Sequence, residues 1–109
     1  MPWLHFISWF CGGMFLSNAV PHFVNGISGR PFQSPFASPP GKGLSSSTVN
    51  VLWGAFNALA GYCLVLRAGA FNYRSSADVA AVGAGALVMA LMMARYFGRY
   101  HGGNLKRQS

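Results

Sequence analysis

Residues 77–100 read ADVAAVGAGALVMALMMARYFGRY, and this stretch decides the class of fold. Its run from Val79 to Ala94 holds 16 residues without a formal charge. A helix that crosses a bilayer needs about 20 predominantly apolar residues. Arg95 and Arg99 can extend their charges toward the lipid headgroups, which lets the helix continue to Tyr100. The stretch therefore predicts a transmembrane helix over about 78–100.

Two further stretches without charge have the same character. Residues 3–24 are rich in Phe, Trp, Leu and Val, and residues 48–66 form another uncharged run that ends at Arg67. They predict helices over about 3–24 and 48–67, of which the first is the least apolar because Ser, Asn and His residues interrupt it. The predicted fold is all-α, a single membrane domain over residues 1–109 made of three transmembrane helices.

The composition excludes the two main alternatives to a membrane protein. Of the 109 residues, 52% are hydrophobic and only 8% are charged, with Asp78 the single acid against eight bases. A soluble domain carries about a quarter of charged residues. Disordered chains are poor in apolar residues. The sequence therefore predicts an integral membrane protein.

The positions of the bases predict an orientation. With three spans, the loop over residues 25–47 and the basic tail over 101–109 lie on the same side. That side holds six of the eight bases, namely Arg30, Lys42, Arg95, Arg99, Lys106 and Arg107. The positive-inside rule then puts the N-terminus outside and the C-terminus in the cytoplasm. We expect the last four of these bases to attract anionic lipid headgroups, at about 1 kcal/mol each. A nucleic-acid partner is not expected, because no basic face alternates with stacking aromatic residues.

The loop over residues 25–47 reads NGISGRPFQSPFASPPGKGLSSS and contains four of the six prolines. This density of proline excludes a helix or a central strand. Loops of this length are often functional. Two Pro-Phe pairs, at 31–32 and 35–36, leave three roles open: packing at the membrane interface, a docking surface for a partner, or a lid over a site. The serines at 45–47 and Thr48 are candidate N-caps for the second helix.

Polar residues inside the helices are the candidate site. Asn18 and His22 are four residues apart and share one face of the first helix. Asn50 and Asn57 alternate with glycines along one face of the second. Polar side chains in hydrocarbon normally face the interior of a bundle. We expect these four residues to hold helices together, and the alternative is that they line a polar pathway.

Small residues predict close helix packing. Gly54 and Ala58 offer such a surface on the second helix, and on the third helix small residues recur every four positions, at Ala86, Ala90, Ala94 and Gly98. Small residues at this spacing let the backbones of membrane helices approach each other. Three helices have little interior to pack. The small residues beyond those that this interior needs therefore indicate a homo-oligomer or packing with other membrane subunits.

Enzymatic chemistry has little support in the sequence. A single acid excludes paired carboxylates, and no local signature of a nucleophile is present. The sequence assigns no catalytic residue and no metal ligand, and it leaves any cofactor open. The expected function is a small non-enzymatic membrane protein that oligomerises or serves as a subunit of a larger membrane assembly.

Two alternatives stay open. The first is a channel, transporter or pore former whose pathway is lined by the four polar residues. In length, three spans and a basic tail, the layout is similar to that of phage holins with three helices, a likeness that covers the architecture and no motif. The second is a membrane protein that binds a small ligand or haem through His22, with His101 near the same end.

Overall fold

The computed structural model describes residues 2–104, which form three helices and one short hairpin. In chain order these elements are α1 (Pro2–Ile27), β1 (Phe32–Gln33), β2 (Leu44–Ser45), α2 (Ser47–Leu66) and α3 (Ser76–His101). The two strands pair antiparallel, with Phe32 opposite Ser45. The prediction of a predominantly helical chain with three helices is confirmed. Most of the tail predicted over 101–109 lies outside the described residues.

The first helix continues past its predicted end at residue 24. Pro21 lies inside it and removes one backbone donor. The next turn gains a side-chain bond, because Asn25 Nδ2 donates to the carbonyl oxygen of Pro21 at 2.8 Å. The helix therefore runs on to Ile27.

Serine residues start the other two helices. Ser46 is the N-cap of α2 and accepts a hydrogen bond from the backbone nitrogen of Val49 at 3.2 Å, which confirms an N-cap within the serine run. Ser75 caps α3 and accepts from the backbone nitrogen of Asp78. The carboxylate of Asp78 in turn accepts from the backbone nitrogen of Asn72. The only acid of the chain thus lies in the first turn of α3, where the helix dipole favours it.

The first helix lies in the middle of the molecule, with α2 on one side and α3 on the other, and the two outer helices make few contacts with each other. Gly54 of α2 packs on Phe23, and Gly61 packs on Gly12, so α2 runs antiparallel to α1. Gly85 of α3 packs on Phe10 near the start of α1, so α3 runs parallel to α1. The molecule is consequently a thin layer, 22 Å in its shortest extent against 43 and 38 Å.

Two of the helices, α2 and α3, are long and apolar enough to cross a membrane. Large apolar side chains cover their outer surfaces, including Leu52 and Leu59 on α2 and Leu87 and Leu91 on α3. These two helices indicate a membrane location. The central helix α1 is as long as α3, but its polar residues make it less apolar.

Polar side chains occupy the centre of the molecule. The largest fully buried side chains are Asn50, Asn57 and Ser34, with exposed fractions of 0, 1 and 1%. Buried apolar side chains are few among the described residues, namely Trp9, Ala19, Phe32 and Val65. The distribution is the reverse of that in a soluble domain, where apolar side chains fill the core.

Candidate functional site

The structure brings the four predicted polar residues together as two pairs across the interface between α1 and α2. Asn18 Nδ2 donates to Asn57 Oδ1 at 3.0 Å. One helical turn further along α1, His22 Nδ1 lies 2.8 Å from Asn50 Oδ1. Each pair takes one residue from each helix. The four-residue spacing in α1 and the seven-residue spacing in α2 keep the residues of each helix on one face.

Asn50 is the centre of the second pair. Its Nδ2 donates to three carbonyl oxygens, those of Phe32 at 3.1 Å, Ser45 at 3.2 Å and Ser46 at 3.1 Å. These bonds attach the hairpin to the start of α2. They also fix the orientation of the amide, so that its Oδ1 points to His22 and can only accept.

The orientation of Asn50 determines the tautomer of His22. Since Asn50 Oδ1 is an acceptor, the proton of the neutral imidazole is on Nδ1. The other ring nitrogen, Nε2, then carries a lone pair. No hydrogen bond to Nε2 is made by residues 2–104. The His22 side chain, 3% exposed as a whole, is therefore held in place by Asn50 and has Nε2 as an acceptor.

Asn57 has protein partners on both sides of its amide. Its Nδ2 donates to the carbonyl oxygen of Trp53 at 2.8 Å, within α2, and its Oδ1 accepts from Asn18. This is the arrangement expected of an amide that holds two helices together. In both pairs the amide oxygen of α2 bonds to a side chain of α1.

Aromatic rings surround the His22 imidazole. Its ring centroid lies 5.4 Å from that of Phe32, 5.9 Å from Phe97 and 6.3 Å from Trp53, and the three contacts are edge-on. One ring comes from the hairpin, one from α3 and one from α2. The histidine is thus where all three helices and the loop meet.

The proline-rich loop folds back over this end of the bundle. Phe32 stacks on His101 with centroids 5.0 Å apart, and Gln33 Oε1 lies 2.7 Å from His101 Nε2. The Tyr96 hydroxyl donates to the carbonyl oxygen of Gly41. The exposed Phe36 packs edge-on against Trp53. The loop therefore contacts all three helices, and its two phenylalanines differ: Phe32 is buried and Phe36 faces outward.

A cleft of about 350 Å³ lies under the loop and between the outer helices. Residues from α1, the loop, α2 and α3 line it: Asn18, His22, Gln33, Ser34, Pro35, Pro40, Gly41, Trp53, Tyr96 and Phe97. None of these described lining residues carries a formal charge. A second groove of about 460 Å³ shares Asn18, Tyr96 and Phe97 with the cleft and continues along α3.

One buried polar atom near the cleft lacks a partner. Within residues 2–104, Trp53 Nε1 is the buried side-chain nitrogen or oxygen that forms no hydrogen bond. Buried donors without acceptors are rare in proteins, and each one calls for an explanation. Trp53 is also a lining residue of the cleft, but its Nε1 atom is itself covered by protein.

The two histidines at this end are engaged separately. His22 bonds to Asn50 and His101 bonds to Gln33, while the ring of Phe32 contacts both imidazoles. The residues that the structure describes contain no group of three His, Cys, Asp or Glu side chains suited to a metal ion. His22 and His101 thus bond to different protein groups, on either side of the Phe32 ring.

The residues predicted for helix packing fall into two groups. Gly54 lies against α1, since a β-carbon added there would be 2.7 Å from the backbone nitrogen of Phe23. On α3, Ala86 lies near Gly13 of α1, and Gly98 is buried beneath Asn104, which follows the end of the helix. The remaining three, Ala58, Ala90 and Ala94, are exposed, and the two on α3 line a groove together with Val20 and Val24 of α1.

The closest approach of α3 to α1 is at a residue that the sequence analysis missed. A β-carbon added at Gly85 would overlap the carbonyl oxygen of Phe10. Gly85 lies seven residues after the buried Asp78, so the two share a helix face. The seven-residue spacing of Asp78 and Gly85, rather than the recurring alanines, is the pattern that predicts the buried face of α3. Gln33 and Ser34 are also buried, at β1 and in the segment between the strands, and were not predicted as site residues.

The bases predicted to contact headgroups lie in part outside the described residues. Arg95 and Arg99 are exposed near the end of α3, and the Arg99 guanidinium lies over the ring of Tyr96 at 5.8 Å. Lys106 and Arg107 belong to the residues that the structure does not describe.

No protein-family model, curated protein or solved structure matches this chain.

Proposed function

We propose that the protein is a small, non-enzymatic integral membrane protein whose three helices all span the bilayer and which works as an oligomer or as a subunit of a larger membrane assembly. The observation that carries the proposal is the reversed distribution of side chains. The most deeply buried side chains are polar, and large apolar side chains cover the outside. In a bilayer the apolar surfaces face lipid and the polar residues face the interior.

The position of α1 supports a third span. Its polar side chains, such as Asn18 and His22, are directed at its neighbours and bond to α2. Because α1 lies between the two more apolar helices, these groups are shielded from lipid. A helix of 26 residues is also long enough to cross the hydrocarbon core with some tilt.

The orientation follows from the bases. The bond between Gln33 and His101 puts the loop and the end of α3 at the same end of the molecule. Arg30, Lys42 and Arg99 belong to that end. The positive-inside rule makes it cytoplasmic, with the start of α1 outside.

Cysteine labelling on intact cells tests this arrangement. Single cysteines replace Ser38, Ala70 or Gln108 in a background with Cys11→Ala and Cys63→Ala, and an impermeant maleimide is added. Ser38 and Ala70 suit this purpose because both are exposed in the connecting segments. We expect labelling at position 70 alone. Labelling at 38 or 108 with 70 protected would reverse the orientation, and equal labelling at 38 and 70 would remove a span.

The groove between α1 and α3 that Ala90 and Ala94 line is the surface proposed for association. Ala90 and Ala94 are exposed there, and small residues allow close approach of another helix. Ala90→Ile should reduce the mass of the assembly measured by native mass spectrometry in mild detergent, because overpacking costs about 1–3 kcal/mol. Leu91→Ile is the matched control on the neighbouring exposed position. An assembly mass unchanged by Ala90→Ile would show that this groove contacts lipid.

A second candidate function is the binding of a small ligand in the cleft under the loop. It is favoured by Nε2 of His22, a residue of the cleft wall, because this atom bonds to none of the described residues. The pathway alternative has less support, because the amides of Asn50 and Asn57 both bond to protein groups.

A further inference from the structure

We propose that the cleft under the loop binds an uncharged, planar hydroxyaromatic molecule whose hydroxyl group donates a hydrogen bond to His22 Nε2. The proposal rests on the second candidate function and names its class of ligand. It does not depend on the number of spans or on the state of association.

The requirement for a donor comes from the hydrogen bonds behind His22. Three carbonyl oxygens fix the amide of Asn50, and the amide oxygen fixes the proton of His22 on Nδ1. The Nε2 atom of the neutral ring can then only accept. A ligand that satisfies it must bring an O–H or N–H group.

The requirement for a flat, uncharged body comes from the walls. Aromatic rings of Trp53, Tyr96 and Phe97 and two proline rings line the cleft, and none of its described lining residues is charged. An ion would lose its hydration there without gaining a counter-charge. Aromatic walls favour a flat ligand, through stacked or edge-on contacts. A volume of about 350 Å³ is at the lower end of the range for small-molecule sites.

The indole of Trp53 lies beside His22 in the wall of the cleft. Its Nε1 is buried without a partner among the described residues, and its ring centroid lies 6.3 Å from that of His22. Its surroundings therefore change when a ligand bonds to His22, which makes the indole signal a suitable readout.

A route for an apolar ligand leads to the cleft. The neighbouring groove shares Asn18 and Tyr96 with the cleft and continues past Met89, Met92 and Met93 of α3, and Arg95 and Arg99 also line it. Methionine side chains are flexible and adapt to different shapes. The ligand is thus expected to enter along α3 from the apolar surface.

The test uses two probes that differ in one hydrogen-bond donor. The full-length protein, labelled with ¹⁵N at tryptophan, is titrated in detergent with 2-naphthol or with 2-methoxynaphthalene. The indole signal of Trp53 is identified by its loss in Trp53→Phe. We expect a saturable shift of this signal, with 2-naphthol binding at least about fivefold more tightly than its methyl ether, the factor that one net hydrogen bond supplies. Equal affinities, or no saturable shift with either probe, would overturn the proposal.

Two substitutions of His22 separate its two nitrogens. His22→Asn keeps an N–H group for Asn50 and removes the acceptor in the cleft, so the preference for 2-naphthol should disappear. His22→Gln puts an amide oxygen near the position of Nε2, so the preference should persist. Leu59→Ala, on the exposed face of α2, is the control and should bind both probes as the parent does.

The outcomes of these substitutions decide the role of His22. A preference for 2-naphthol that survives His22→Asn would show that another group accepts the bond, which overturns the assignment. If His22→Asn does not give the indole spectrum of a folded protein, the affinities of the two probes for the parent protein decide whether the proposal stands. None of these results bears on the labelling pattern, so the proposed topology stands or falls separately.

Discussion

Gly12 and Gly13 are neighbours in the sequence, yet they pack against different helices. A β-carbon added at Gly12 would lie 3.1 Å from the β-carbon of Leu64 in α2, and one added at Gly13 would overlap the carbonyl oxygen of Val82 in α3. Successive residues of a helix point about 100° apart. Two adjacent glycines therefore give α1 two close-packing faces at the same height, which is what a helix in the middle of a layer needs.

Gly85→Ala should destabilise the protein, whereas Gly83→Ala should not. The new methyl group at Gly85 would collide with the backbone of Phe10, at an expected cost of about 1–3 kcal/mol. A β-carbon at Gly83 has no atom within 4 Å, so the alanine gains up to about 1 kcal/mol of helix propensity. Unfolding in mixed micelles with increasing SDS measures both. Equal midpoints for the two variants would contradict the close approach of α3 to α1.

Asn50→Leu should cost more stability than Asn57→Leu. The first substitution removes the amide from the carbonyl oxygens of Phe32 and Ser45 and from the Nδ1–H of His22, and each unsatisfied buried group costs about 1–3 kcal/mol. The Ser46 carbonyl oxygen keeps its bond from the backbone nitrogen of residue 50. The second removes one bond between helices, and hydrogen bonds between membrane helices average only about 0.6 kcal/mol. The same SDS unfolding experiment compares them. A larger loss for Asn57→Leu would show that the hairpin contributes little to the bundle.

Phe32→Ala should release the loop from the bundle. Phe32 is buried against His22, Phe97 and His101, and removal of a buried phenylalanine ring costs about 3–5 kcal/mol. Lys42 is exposed in the same loop, so trypsin should cut after it at least about tenfold faster in this variant. Phe36→Ala is the control, because Phe36 is largely exposed and should change the rate little. Similar cleavage of both variants would show that other contacts, such as that of Tyr96 with Gly41, hold the loop.

Ser46→Ala should weaken the start of α2 by about 1 kcal/mol, and Ser47→Ala should have a smaller effect. Only the Ser46 hydroxyl accepts a hydrogen bond from the first turn, and removal of an N-cap typically costs about this much. Amide hydrogen exchange at Val49 measures the loss locally. Unchanged protection of this amide in Ser46→Ala would contradict the assignment of the cap.

Local patterns predicted most of the helical structure and the polar pairs. Uncharged length located the three helices, and the serine run located the start of α2. The spacing of Asn50 and Asn57 identified the buried face of α2, because helical periodicity alone decides which residues share a face. Asn18 and His22 followed by the same argument, and the structure pairs them with these two amides.

Features that depend on contacts distant in the sequence could not be predicted. The bond between Gln33 and His101 joins residues 68 positions apart, and nothing in the loop sequence indicates it. Gly85, rather than one of the alanines, makes the closest contact with α1 because of the rotation of α3 about its axis. The neighbouring elements determine that rotation. The cleft exists because α2 and α3 stay apart on either side of α1, and a one-dimensional pattern does not contain that arrangement.

The central position of α1 has a consequence for biosynthesis. The chain is made from its first residue onward, so the helix with the most polar groups emerges before either of the helices that shield them. In the proposed membrane arrangement, Asn18 and His22 gain their partners only when α2 has been inserted, and Gly13 meets Val82 only when α3 follows. The first helix therefore has all its packing partners only after the last helix has been inserted. A chain truncated before Ser76 should consequently be an early substrate for membrane quality control.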